Sequence, residues 1–247
     1  MKEYRADLHV HTVLSPCASV EMIPPLIIQA ALDKNIDILA ITDHNHTANI
    51  KAVQEAAEGS GIFILPGMEL QTREEIHVLC LFDSLKQASK LQNYVDQALP
   101  DIRNNPDFFG EQFIVDATGD FVQREDRLLI NSTSITLKEA WEIVKELNGL
   151  LIPAHVDRQM FGLFPVLQFI PEDIQLEVLE ISKFINPEQA CQQFPQIKTL
   201  PLFQNGDAHQ LEDLLGSTVF SINSPSIHEL QLAFHGSEGR SYRIGKG

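Results

Sequence analysis

Seven apolar runs of strand length recur along this chain: Ala6 to Val10, Asp37 to Thr42, Ile62 to Pro66, Ile76 to Phe82, Leu150 to Ala154, Leu176 to Ile181 and Leu200 to Asn205. Amphipathic helical stretches separate most of them. Parallel strands need long crossovers, and helices are the usual ones, so the alternation predicts an α/β fold and, with this many strands, a barrel. Helix signals support the reading. Thr136 is an N-cap with Glu139 three residues on, Leu137, Ala140, Trp141, Val144 and Leu147 form one stripe, and Gly149 ends it. Pro24 and Pro25 suit the opening of a helix carrying Leu26, Ile27, Ala30 and Ala31, and Leu85, Ala88, Leu91 and Val95 form another stripe. A length of 247 residues with 44% hydrophobic composition can bury one large core, and no composition break divides it, so a single domain over 1–247 is expected.

One stretch interrupts the pattern. Residues 99–127 are polar and aromatic by turns, with Phe113 to Asp116 and Phe121 to Gln123 flanking an Ala-Thr-Gly-Asp turn. This reads as an inserted hairpin, either an active-site lid or a surface excursion.

Composition excludes several classes. The longest apolar stretches are too short to span a bilayer, and Met-Lys-Glu-Tyr-Arg leads directly into a polar motif, so no membrane partner and a cytoplasmic location are expected. Cys17, Cys80 and Cys191 are odd in number and widely spaced, which is no disulfide framework and no Cys-x-x-Cys zinc motif. A formal charge of −16 should repel polyanions, so no long nucleic acid is expected, and an anionic substrate must be drawn by local positive charge.

Bound metal ions are the candidate source of that charge. Of nine histidines, six fall at the ends of expected strands beside Asp, Glu, Gly or Thr. The carboxyl ends of barrel strands and their loops form one face, where residues distant in sequence converge. On a strand, positions two apart point the same way, so His9 and His11 in Asp-Leu-His-Val-His-Thr can present two imidazoles to one ion. Asp207 and His209 repeat the spacing. His44 closes Ile-Thr-Asp-His, Glu69 follows Pro-Gly-Met, and His155 follows Ile-Pro-Ala. His77 shares a strand face with Leu79 and Leu81, where a satisfied core histidine is the competing reading.

In order along the chain, Asp-Leu-His-Val-His-Thr, Ile-Thr-Asp-His, Pro-Gly-Met-Glu, His77, Pro-Ala-His and Gly-Asp-Ala-His resemble the motifs of the polymerase-and-histidinol-phosphatase (PHP) family over nearly the whole chain. The resemblance implies a distorted seven-stranded (β/α)7 TIM-like barrel with two or three divalent ions, zinc, manganese or iron, with magnesium a further candidate. It would place His9, His11, Glu69 and Asp207 around one ion, with Glu69 bridging to a second held by His77 and His155. His44 and His209 would hold a third. That site usually takes a further ligand from the loop after the His-x-His motif, which here reads Leu-Ser-Pro-Cys-Ala-Ser. Cys17 stands nearest the expected place; an unligated thiol is the alternative, with Glu21 or a water completing the shell. A thiolate would favour zinc or iron over manganese or magnesium.

Such a cluster suits phosphate esters, and the resemblance implies attack by a metal-bridging hydroxide, with Glu69, Asp207 and His155 as catalytic residues. Arg158 is a candidate phosphate clamp, against a salt bridge to Asp157 or another acid; Arg73 carries the same hypothesis more weakly. Asp43 could orient a ligand imidazole or cap a helix. His46 ranks below the matched residues. His228 and His235 are expected at the surface, and Cys80, Cys191 and Trp141 in packing roles. The leading expectation is hydrolysis of a small phosphorylated substrate, a phosphomonoester such as a nucleotide or nucleoside bisphosphate. Alternatives are a histidinol-phosphate phosphatase using Asp116, Asp120 or Glu125 for the substrate ammonium, a phosphodiesterase or oligonucleotide exonuclease, and a weakly catalytic metal-binding regulatory module, motivated by the altered loop at Cys17.

Overall fold

The computed structural model describes residues 1–245. In chain order the first half runs β1 (Lys2–Val10), α1 (Pro24–Asp33), β2 (Ile38–Ile41), α2 (Ile50–Ala56), β3 (Phe63–Gln71), β4 (His77–Leu81) and α3 (Leu85–Ala98). A short helix α4 (Pro106–Phe109) and a hairpin of β5 (Phe113–Val115) and β6 (Phe121–Arg124) follow. The second half runs α5 (Leu137–Glu146), β7 (Leu150–Pro153), α6 (Leu163–Leu167), β8 (Leu179–Ile181), α7 (Pro187–Gln193), β9 (Leu202–Gln204), β10 (Thr218–Ile222), α8 (Ile227–Phe234) and β11 (Ser241–Ile244). No described helix is long and apolar enough to cross a membrane.

All seven expected runs contain strands, but their pairing departs from an all-parallel barrel. One seven-stranded sheet has the order β11-β10-β1-β2-β3-β4-β7, and β8 pairs with β9 in a separate ladder. β1, β2 and β3 are parallel, whereas β4 is antiparallel to both β3 and β7. The cause is legible in chain length. The five residues between Gln71 and His77 can turn the chain back but cannot carry a crossover helix. β10 and β11, which the strand reading did not include, extend the β1 edge antiparallel. The ladder of β8 and β9 lies between β7 and β1: Val156 N–H donates to the Glu180 carbonyl, and Val10 bridges Ala208. The result is a curled sheet with a small second ladder rather than a regular (β/α)7 barrel.

Strand alternation sorts the core into two parts. Ala6, Leu8, Ile38, Ala40, Leu65, Leu79, Leu81, Ile152, Ala154 and Phe203 pack together inside the curl with Leu230 and Phe234 of α8. The opposite strand faces, with Leu39, Ile41, Met68, Leu70, Val78, Cys80 and Phe82, pack against α1, α2, α3 and α5. The expected capping box of Thr136 and Glu139 opens α5. Gly67 lies where a Cβ would come within 2.8 Å of Thr42 and 2.9 Å of Leu81, so β3 approaches its neighbours through the absence of a side chain.

Asp7 ties this scaffold to the loop that follows β9. Fully buried, its carboxylate accepts from the backbone N–H groups of Gly206, Leu215 and Gly216. Burial lifts its pKa to about 6, against the pull of those amides. Removing the carboxylate strands several buried donors at once, each costing about 1–3 kcal/mol. Asp7→Ala should therefore lower unfolding stability by about 3 kcal/mol or more, read as a lower urea midpoint at unchanged m-value. An unchanged midpoint would show that the loop is held by other contacts.

Candidate metal centre

A defect in β1 aims the His-x-His pair. Ala6 and Leu8 belong to the interior core but Val10 to the outer one, so strict alternation from Ala6 would send His9 and His11 outward. The β1–β2 register shifts between Asp7 and Val10, and this bulge turns both imidazoles inward. On β2 and β3 the interior parity that holds Ile38, Ala40 and Leu65 continues to His44 and Glu69, which bridge to each other at the strand ends. His77 reaches the same end from the opposite direction. Because β4 is antiparallel, its first residue, not its last, lies beside Glu69, above Leu79 and Leu81 on the same face.

His155 and Asp207 are swung in by backbone torsion, with φ of 28° and 48°. Non-glycine residues rarely adopt such values, and they concentrate where a site over-determines the chain.

Glu69 is the hub. Its Oε1 lies 2.8 Å from His77 Nδ1, 3.1 Å from His155 Nε2 and 3.3 Å from His9 Nε2. Its Oε2 lies 2.9 Å from His44 Nδ1 and 3.3 Å from His11 Nε2. Asp207 Oδ1 is 3.3 Å from His9 Nε2 and 3.4 Å from both His11 Nε2 and His209 Nδ1. The potential ligand atoms group as His9, His11 and Glu69, as His44, Glu69 and His77, and as His11, His44 and His209. His44 thus stands between the last two groups, its Nδ1 beside the Glu69 carboxylate and its ring near His11 and His209.

Several of these close contacts are not hydrogen bonds. His9 Nε2, His11 Nε2, His44 Nδ1 and Glu69 Oε2 are buried with no hydrogen-bond partner, a costly state for polar atoms unless something else engages them. Ligand atoms about 2.1 Å from a tetrahedral ion lie about 3.4 Å from one another. The separations of 3.3–3.4 Å among His9, His11, Glu69 and Asp207 match that spacing. The residues present therefore fit a metal.

The electrostatics agree. Burial opposes charge on Glu69 and Asp207, yet the surrounding imidazoles hold both carboxylates well below their ordinary range. Burial likewise opposes charge on His9, but Glu180, Glu69 and Asp207 together raise its pKa well above the ordinary value. For His77 burial prevails, and its pKa falls to about 4. A neutral imidazole is the form that ligates metal.

Glu180, absent from the sequence reading, organises this set. Fully buried on β8, it lies 3.0 Å and 3.1 Å from His9 Nδ1, accepts from the His155 backbone N–H at 2.9 Å and from Asn205 Nδ2 at 2.8 Å. With a carboxylate facing Nδ1, the His9 proton sits there and Nε2 is left to face Glu69 and Asp207. The available signal was ambiguous, since the same run holds Glu177, but alternation from interior Val178 selects Glu180. Asp43 acts on His11 through Ser15. It accepts from Ser15 Oγ and from the Thr12 amide and hydroxyl, each at 2.7 Å, and Ser15 Oγ lies 2.9 Å from His11 Nδ1. The N-cap of α2 is Asn49, so Asp43 is not a cap there.

The remaining candidates divide cleanly. A cavity of about 410 Å³ is lined by Cys17, His44, Glu69, Gln71, His77, Phe109, Ile130, His155, Arg158, Phe161, Asp207 and His209. Arg158 contacts Asp207 Oδ2 at 2.5 Å, not Asp157, which accepts from Ser182. Burial opposes ionisation of the Cys17 thiol, but His44 and His209 beside it bring its pKa down to about 5. Arg73 and Glu21 are exposed and outside this lining, and the charge of Arg73 bears on Glu139. His46 meets Glu125 at 3.6 Å, and Glu125 also pairs with Arg127. Asp116, Asp120 and Glu125 do not line the cavity, which removes the expected receptor for a histidinol ammonium. His228 and His235 line a different cavity, next to Trp141.

Residues 7–156 match the family model described as the PHP domain. The chain belongs to the PHP family. It is 36% identical over 80 residues to the 5'-3' exoribonuclease Rnm of Salmonella typhimurium, covering 30% of this chain and 26% of that protein. The chain thus spans about a quarter of the length of the curated relatives it matches. Among solved structures, the lesion-specific endonuclease PfuEndoQ of Pyrococcus furiosus aligns over 98% of this chain and 58% of its own, at 19% identity and a TM-score of 0.76. A Bifidobacterium adolescentis protein of the same fold aligns over 83% of this chain and 87% of its own, at 21% identity and a TM-score of 0.55.

These findings correct one expectation. Net charge predicts that long nucleic acid is excluded, yet an endonuclease Q of this fold holds a 27-mer duplex with an abasic lesion at its active site. The physical error lies in treating a sum over the whole surface as the field at one cavity, where bound cations dominate locally.

Glu180→Gln keeps the volume but gives up the charge that secures the His9 proton at Nδ1. Metal affinity should fall about 10–100-fold, measured by competition with a chelator. Wild-type affinity in this variant would remove Glu180 from the account.

Proposed function

We propose that this PHP chain hydrolyses phosphodiester bonds in a nucleotide-containing substrate, using two or three divalent ions grouped around Glu69. The observation that carries the reading is the set of buried, unpartnered nitrogen and oxygen atoms at ligand spacing around that one carboxylate. His9, His11, Glu69 and Asp207 would hold one ion, and Glu69, His77 and His155 would hold a second. Bound divalent ions supply Lewis acidity and lower the pKa of water, which hydrolysis at phosphorus needs.

The cavity's own residues favour a diester over the small phosphomonoester that the sequence favoured. Among the described residues Arg158 is the one lysine or arginine in its lining, and Phe109, Ile130 and Phe161 form apolar wall. A diester carries a second organic substituent on phosphorus that can lie against this apolar wall, whereas a small monoester has no use for it. Arg158 serves as the clamp. Its contact to Asp207 places the guanidinium at the cluster, and once Asp207 engages an ion the fork is free to take two phosphate oxygens. The regulatory-module alternative loses its motive, because the altered Cys17 loop sits beside a convergent ligand set.

For the third ion we assign His44, His209 and Cys17. His209 Nδ1 lies 3.0 Å from the Asp207 carbonyl, which puts its proton there and leaves Nε2 for ligation. A thiolate in this shell tilts the site toward zinc or iron over manganese or magnesium.

Purified protein should be assayed with bis(p-nitrophenyl) phosphate, oligonucleotides and phosphomonoesters under each metal. The diesters should be turned over faster; turnover confined to monoesters, or none with any metal, contradicts the proposal. His155→Ala and Asp207→Ala should each lower kcat/KM by orders of magnitude while His228→Ala stays near wild type; equal losses from all three would displace the site. Cys17→Ala should reduce bound metal by one equivalent, and Cys17→Asp should restore occupancy with manganese, both read by elemental analysis. Unchanged metal content in both variants removes Cys17 from the ligand set.

A further inference from the structure

The cavity that holds the cluster is rimmed by phenylalanines that the metal chemistry does not use. The two most exposed large apolar side chains among the described residues are Phe184, at 79%, and Phe108, at 78%. Both flank this cavity. Phe108 packs edge-on against Phe109, ring centroids 4.7 Å apart, and Phe109 lines the cavity wall. Phe184 lines a smaller recess that shares His155, Arg158 and Asp207 with the main cavity. Deeper in, Phe161 stacks on His77 with centroids 4.4 Å apart and planes 4° from parallel. Its backbone is held at φ 63°, an unusual conformation for a bulky residue, and its carbonyl accepts from the His77 N–H.

These rings do not form one contiguous apolar patch. Cations stand beside one of them: Arg158, paired with Asp207, and Lys183, paired with Asp213, share the recess with Phe184, and Lys183 Nζ lies 5.8 Å from its ring centroid. Exposed aromatic rings beside a phosphate site are what a single-stranded nucleic acid binds, because its bases offer free π-faces. A duplex keeps those faces stacked inside and gains little from exposed rings.

We propose that Phe184 and Phe108 stack on unpaired bases of a short single strand whose phosphodiester lies in the metal cavity, with Phe161 walling the position next to the scissile bond. This rests on the diester reading above and adds its substrate class.

The test is equilibrium binding of a fluorescent oligothymidylate with uncleavable phosphorothioate linkages to the metal-loaded full chain. Phe184→Ala and Phe108→Ala should each raise Kd about tenfold, the loss expected for one base–aromatic stack, while Phe184→Trp holds wild-type affinity. An abasic strand of the same length should bind wild type and Phe184→Ala alike. Wild-type affinity in both alanine variants overturns the inference. So does an equal loss for the abasic strand or for a duplex, or a loss of binding to anionic lipid vesicles with strand affinity intact. Hydrolysis of bis(p-nitrophenyl) phosphate, measured separately, keeps the two proposals apart: diester turnover without strand binding removes this inference alone, and ring-dependent binding without diester turnover removes the functional reading alone.

Discussion

One buried carboxylate, Glu69, faces imidazoles from β1, β2, β4 and the turn after β7, with the nearest nitrogens 2.8–3.3 Å away. An arrangement of this kind is expensive for a protein to bury, because desolvation penalises every charge in it and several of its polar atoms make no hydrogen bond. It becomes favourable when positive ions occupy the centre, so the fold converges on a set of groups whose stability and chemistry depend on the same ions. Features that otherwise look like irregularities serve that convergence: the bulge in β1, the reversed β4, and the left-handed residues His155 and Asp207.

Most of this site was legible in the sequence because metal ligands are written as short local patterns. His-x-His on a strand and a histidine or carboxylate at each strand end identify themselves by residue type and position. Pairing direction was not legible, because the strand runs Ile62 to Pro66 and Ile76 to Phe82 leave nine residues between them, and only the extension of β3 to Gln71 shortens the link to five. His77 shows how the two levels interact. Its face was identified, but only the reversal of β4 tells whether the top or the bottom of that face meets Glu69. Glu180 was hidden for another reason. A positioning carboxylate has no spacing motif of its own, and its role exists only through contacts with His9, His155 and Asn205, which come from three different segments.

Charge misled where it was averaged. The composition gives the potential far from the protein, while a substrate at the cavity meets Arg158, Lys183 and whatever ions the cluster holds within a Debye length of about 8–10 Å. An acidic chain of this fold is thus compatible with phosphate substrates and with nucleic acid. The exposed rings of Phe108 and Phe184 belong to the same lesson, since hydropathy patterning treats a phenylalanine as core by default and says nothing about one that the fold leaves in solvent.

Glu69 would bridge two ions in the loaded protein. Anomalous diffraction from crystals of the chain loaded with zinc or manganese tests this directly. At least two peaks should flank Glu69, one among His9, His11 and Asp207 and one beside His77 and His155. Metal-saturated crystals with no peak in contact with Glu69, or with ions bound only elsewhere on the surface, would contradict it.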